Sequence, residues 1–129
     1  MTALRTVLVV DDDAESRRLA VRLLEEIGWR AVEASDGRAA VELAGRVPLD
    51  LVLLDLRLPG EVDGLRAASL MRQNPALYGV PIIAVSASPY KDFRHRAFAA
   101  GCTAFLSKPI NLKELQHQVE LLTFPRGGP

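Results

Sequence analysis

The chain has 129 residues, 49% of them hydrophobic, which is enough for one domain with a real core and too apolar for a disordered segment. Lys+Arg and Asp+Glu stand at 16 each, so there is no net basic field to hold nucleic acid or an anionic lipid surface. No apolar run approaches the roughly 18–20 residues that span a bilayer, and residues 1–5 lack the apolar core of a signal peptide, so the expected address is the cytoplasm.

Residues 6–10 read as a first, fully apolar strand that stops in three acids, Asp11-Asp12-Asp13. Residues 14–27 carry Ala20, Leu23, Leu24 and Ile27 on one helical stripe, with Gly28 as a left-handed cap and Trp29, partly buried, behind it. A short strand is expected at 30–34. Asp36-Gly37 then turns into a helix carrying Ala40, Leu43, Ala44 and Val47, which Pro48 and Asp50 break. The third strand, 51–54, again ends in an acid, Asp55. The loop 58–62 leads to Asp63, an N-cap for a helix over 64–73. Pro81 precedes a fourth strand at 82–85, residues 91–100 form a helix closed by Gly101, and 104–107 form the fifth strand. Leu112, Leu115, Val119 and Leu122 stripe the last helix, and 124–129 are expected to be a frayed tail or the stub of a linker.

Strands alternating with helices at this spacing predict one α/β domain over residues 1–123. Its architecture is a doubly wound, five-stranded parallel sheet, whose strands are continuously apolar because both faces are covered. Ligands of such sheets bind beyond the carboxyl ends of the strands, where the strand order reverses. Carboxylates gathered there are costly to desolvate and repel one another unless a cation or donor sits among them. An all-oxygen site of this kind suits Mg²⁺. The single cysteine, Cys102, excludes an internal disulfide and reads as a small buried core residue. His95 and His117 are too few and too scattered for a zinc site and belong on solvent-facing helix positions.

Four separated motifs, Val9-Val10-Asp11-Asp12, Leu54-Asp55, Val85-Ser86-Ala87 and Ser107-Lys108-Pro109, stand in order on the ends of strands one, three, four and five. Together they resemble the receiver domain of two-component response regulators, over essentially residues 5–123. The resemblance implies a flavodoxin-like (βα)5 fold with strand order 2-1-3-4-5. It implies that Asp55 accepts a phosphoryl group from a histidine kinase or a histidine phosphotransfer protein. Asp12 would ligate Mg²⁺ directly and Asp11 through water, with Asp55 and the backbone carbonyl of Arg57 completing the protein's share; Mn²⁺ would substitute. Lys108 would pair with Asp55 at rest and with a phosphoryl oxygen afterwards. Ser86 would donate its hydroxyl to the phosphoryl group and Phe105 would follow it inward, switching the face made by helix four, strand five and helix five for an unknown downstream protein. On this reading Asp13 has no ligand role and shapes the start of the first helix.

Two departures from the family pattern stand out. Pro59-Gly60-Glu61-Val62-Asp63-Gly64 has one residue more than is usual between the Pro and the Asp-Gly. By the same resemblance, Arg57 and Ser88 would occupy the two family positions that tune dephosphorylation. The charged stretch 91–96 is first a solvated helix face and second a docking surface. The expected protein is a monomer or weak dimer, not an enzyme, touching neither nucleic acid nor membrane. With seven residues after Leu122 it would carry no output domain, or else be a receiver cut from a longer regulator or hybrid kinase. A degenerate receiver serving only as an interaction module is opposed by the intact acids, Ser86 and Lys108. A small aspartyl phosphatase is opposed by Arg57, which stands where a second acid would be needed. An FMN binder is opposed by the three acids where a phosphate loop would lie.

Overall fold

The structure, a computed structural model, describes residues 4–87 and 91–123. Its elements follow one another as β1 (Thr6–Val10), α1 (Ala14–Glu26), β2 (Arg30–Ala34), α2 (Gly37–Arg46), β3 (Leu51–Asp55), α3 (Gly64–Arg72), β4 (Ile82–Ser86), α4 (Lys91–Ala99), β5 (Ala104–Ser107) and α5 (Leu112–Thr123). A single 3₁₀ turn, Pro75–Leu77, lies between α3 and β4; Asn74 starts it by accepting from the Ala76 N–H. The five strands form one parallel sheet in the order β2-β1-β3-β4-β5.

The central strands are buried along their whole length because helices cover both faces of the sheet. Alternate side chains enter two separate clusters. Leu8, Val10, Val52, Leu54, Ile82 and Ala84 pack with Ala40, Ala44, Ala67, Ala68, Met71 and Ala97, so α2, α3 and α4 share one face. Val7, Val9, Leu51, Leu53, Ile83 and Val85 pack with Ala20, Leu24, Leu115 and Val119, so α1 and α5 share the other. Trp29 joins this second cluster more completely than its place after Gly28 suggested: it is 7% exposed, with the Arg5 guanidinium over its ring. Burying a ring of that size repays its desolvation well beyond what a partly exposed position would give.

Helix starts are set by side-chain caps. Asp13, Asp36 and Asp63 accept from the N–H groups of Ser16, Ala39 and Arg66, each three residues on. Asp13 thus takes the helix-shaping role expected of it. Gly28 and Gly101 hold φ of +92° and +107°, where a side chain would be strained. Strands β3 and β4 run one residue further than the sequence suggested, so Asp55 and Ser86 are themselves strand residues. Among the described residues no helix is long and apolar enough to cross a membrane. The expected tail, 124–129, lies outside the described residues.

Candidate functional site

In the order β2-β1-β3-β4-β5 the chain reverses its direction of travel across the sheet between β1 and β3, the place where a doubly wound sheet opens a crevice at its carboxyl edge. Register puts Val10 beside Leu54, so Asp11 and Asp55, one residue further along, arrive there side by side. The Asp11 N–H is still held by the Ala34 carbonyl at 3.2 Å, and Asp55 is still paired with Val85, so neither acid sits on a free loop. Asp12 follows on the surface. Carboxylate oxygens of Asp11, Asp12 and Asp55 lie within 4.8 Å of one another, with Asp11 and Asp55 buried and Asp12 exposed.

Lys108 reaches this cluster from the end of β5. Its Nζ donates to Asp11 Oδ2 at 2.9 Å and to Asp55 Oδ2 at 3.0 Å. The lysine therefore bridges two carboxylates, where the sequence reading paired it with Asp55 alone. The remaining oxygens are also engaged: Asp11 Oδ1 accepts from the Asp13 N–H and Asp55 Oδ1 from the Arg57 N–H, both at 2.9 Å. These partners explain the acidities. Burial alone would raise the Asp11 carboxyl, but the bonds from Lys108 and the Asp13 N–H outweigh it and leave the group below its ordinary range. At Asp55 burial prevails over the Arg57 N–H and Lys108, and the carboxyl is raised. Burial would lower Lys108, yet its two carboxylate partners hold it above the usual lysine value, so it stays an ammonium at neutral pH.

Three carboxylates against one ammonium leave the cluster net negative and made only of oxygen donors. That donor chemistry fits a hard divalent cation such as Mg²⁺, and the exposed Asp12 gives it an open side.

Ser86 ends β4 fully buried, beside Ser107 in the ladder, and its carbonyl accepts the Lys108 N–H at 3.0 Å. The peptide bond from Lys108 to Pro109 is cis. Phe105, half-buried, packs against the cluster under α2, α3 and α4, as does Phe93 of α4. The Arg57 guanidinium lies 5.9 Å from the Phe93 ring centre, and Arg96 lies over the same ring at 5.6 Å. Ser88 lies outside the described residues, as do the side chains of Lys91 and Asp92. His95 and His117 are exposed and belong to no metal-binding group among the described residues. Cys102 is buried, and burial pushes its thiol up to about 11.

Sequence reasoning missed three contributors. Arg17 donates to the Asp11 carbonyl at 2.9 Å while its Nε holds Glu33; the spacing from Asp13 to Arg17 is one helical turn and could have suggested it. Gly64 lets α3 start against the backbone of Asp55 and Leu56. The Phe93 ring shared by Arg57 and Arg96 had no sequence signal.

Comparison with known proteins gives one consistent answer. Residues 7–120 match the family described as the response regulator receiver domain. The chain is 36% identical to hybrid signal transduction protein dokA of Dictyostelium discoideum over 126 residues, 95% of this chain but 7% of dokA. It therefore spans a small part of that relative. It is 33% identical to the polar-differentiation response regulator DivK of Brucella anthropi over 108 residues, covering 84% of this chain and 87% of DivK. Among solved structures, the receiver domain of sensor histidine kinase PA1611 from Pseudomonas aeruginosa, with a magnesium ion in its active-site cleft, superposes with a TM-score of 0.88 at 31% identity, covering 95% of this chain and all of that one.

Proposed function

Because the chain belongs to the response regulator receiver domain family of two-component systems, we propose that it is a phosphorylation switch in which Asp55 is the acceptor. Receiver domains are signalling modules, not classical enzymes; they bind Mg²⁺ at an acidic cluster and take their phosphoryl groups from histidine kinases or phosphotransfer proteins. What carries the assignment to this chain is one observation: Asp11, Asp12, Asp55 and Lys108 meet at the switch point of the sheet.

In the proposed reaction, Asp55 Oδ attacks the phosphorus of a phosphohistidine. A P–O bond forms as the P–N bond breaks, and the imidazole leaves with the electron pair. Carboxylate and phosphoryl oxygens repel each other, so the approach needs positive charge nearby. Lys108, bonded to Asp55 in the resting site, would supply part of it and would pass to a phosphoryl oxygen. Asp11, Asp12, Asp55 and the Arg57 carbonyl would hold Mg²⁺, with Mn²⁺ as a substitute; bound there, the cation would neutralise the phosphoryl oxygens. The Ser86 hydroxyl would bind the phosphoryl group and Phe105 would follow it, so that about −1.5 to −2 new charges alter the α4–β5–α5 face. A downstream protein would read that face. The domain would act in the cytoplasm as a monomer or weak dimer, without touching nucleic acid itself. Relatives in which this unit is nearly the whole protein and relatives in which it is a small part both occur, and the chemistry is the same in either setting.

Incubation with MgCl₂ and acetyl phosphate should add a single phosphate, seen by intact mass and absent in Asp55→Asn. No adduct, or an adduct that persists in Asp55→Asn, would refute the assignment.

A further inference from the structure

Gly37 opens α2 with no room for a side chain. A Cβ placed there would lie 2.0 Å from the carbonyl oxygen of Val62 and 2.8 Å from its Cγ1. Gly37 is buried, and its φ is not in the left-handed region. By helix propensity alone, alanine would be the better residue. What excludes it is a backbone oxygen, which cannot swing aside as the end of a flexible side chain would.

Val62 belongs to the loop between β3 and α3. It is half-buried and packs on the same cluster as Leu56 and Leu58. The other end of that loop is held in the same manner: a Cβ at Gly64 would come within 2.4 Å of both the Asp55 carbonyl oxygen and the Leu56 Cα. Two missing side chains thus clamp one loop, Gly64 against its root and Gly37 against its outer arm. The root carries Asp55 and Arg57, whose N–H holds Asp55 Oδ1.

We propose that Gly37 is a positioning residue for the cation site: the start of α2 braces the β3–α3 loop through Val62 and so fixes Arg57 against Asp55. This inference rests on the Mg²⁺ reading above and adds to it a helix with no metal ligand of its own. Losing a group that hydrogen-bonds a metal ligand typically weakens the site by about 10- to 100-fold, and a brace that acts through the loop belongs at the low end of that range.

The test is calorimetric titration with MgCl₂ alone, with urea unfolding of each variant alongside. Gly37→Ala should weaken Mg²⁺ binding by about 10-fold. Deleting Gly60 in the Gly37→Ala background, which shortens the loop that carries Val62 by one residue, should restore most of the affinity. Val62→Ala, which keeps the backbone clearance and loosens only the packing, should weaken binding to a smaller extent; it decides the matter should Gly37→Ala fail to fold. Wild-type affinity in folded Gly37→Ala, or in Val62→Ala where Gly37→Ala does not fold, overturns the brace. So does a loss in Gly37→Ala that deletion of Gly60 leaves untouched. Absence of binding by the wild-type chain overturns the Mg²⁺ reading itself, and the brace with it. Wild-type binding that Asp12→Ala abolishes keeps the two failures distinct.

Discussion

Lys108 Nζ stands 3.0 Å from Asp55 Oδ2, joining residues 53 positions apart from strands that are not neighbours in the sheet. The same nitrogen holds Asp11, and the two carboxylate side chains are each 7% exposed. Such a triad is held together by its geometry, because desolvation opposes every charge in it.

Lys108→Ala leaves two buried acids facing each other with only N–H donors for relief. Since the lysine side chain is itself 22% exposed, we expect a loss of about 2 kcal/mol, below the range for fully buried pairs. Mg²⁺ affinity should rise in this variant, because the cation no longer competes with an ammonium. Urea midpoints measured with and without MgCl₂ check both: the deficit shrinks as MgCl₂ is added, and a deficit indifferent to MgCl₂ would contradict the competition.

Arg72 is expected to matter for stability and not for the site. Its Nε donates to the Gly101 carbonyl at 2.8 Å, its Nη1 to those of Leu77 and Val80 at 2.5 and 2.8 Å, and its Nη2 to Thr103 Oγ1 at 3.3 Å. These acceptors lie near the starts of β4 and β5, at the edge of the sheet opposite the acids. Arg72→Ala should destabilise by about 2–4 kcal/mol by orphaning several partly buried acceptors. Arg72→Lys should recover little, because one ammonium cannot replace a planar fork. Chemical denaturation gives the loss, and calorimetry should find Mg²⁺ affinity unchanged.

Cys102 gives stability a pH dependence at the alkaline end. Burial raises the folded thiol from 9.0 to about 11, with the nearby Arg72 charge opposing it. The folded state keeps a proton that the unfolded chain releases, so this contribution is complete below pH 9 and is lost as pH rises from there to about 11. Its full size is on the order of 3 kcal/mol. Urea midpoints at pH 8 and pH 10.5 should fall further for the wild-type chain than for Cys102→Ala; equal slopes would rule the thiol out. At neutral pH iodoacetamide should label Cys102 only on unfolding.

The sheet was legible from the sequence because β1, β3 and β4 are buried on both faces and read as unbroken apolar runs. Asp11, Asp55 and Ser86 were legible because they end those runs, whereas Lys108, which follows β5, was legible through the resemblance carried by the four motifs together. Interactions joining distant segments left no local trace. Nothing in the chain order says that Lys108 bridges Asp11 as well as Asp55, or that Arg57 lies on Phe93. The 3₁₀ turn at Pro75–Leu77 is too short for any periodicity and rests on the Asn74 side chain. Trp29 was read as partly buried from its place after Gly28 at the end of the first helix, yet it packs into the cluster shared by α1 and α5 and is buried.

The bond from the Lys108 N–H to the Ser86 carbonyl has a mechanical corollary. A hydroxyl and an ammonium that would grip the same incoming group hang from one shared rung, so a pull on either is felt at once by the other. Strands four and five would be geared at that point, and on the proposed function the sheet's rim would respond to a new charge as one lever, not as two independent fingers.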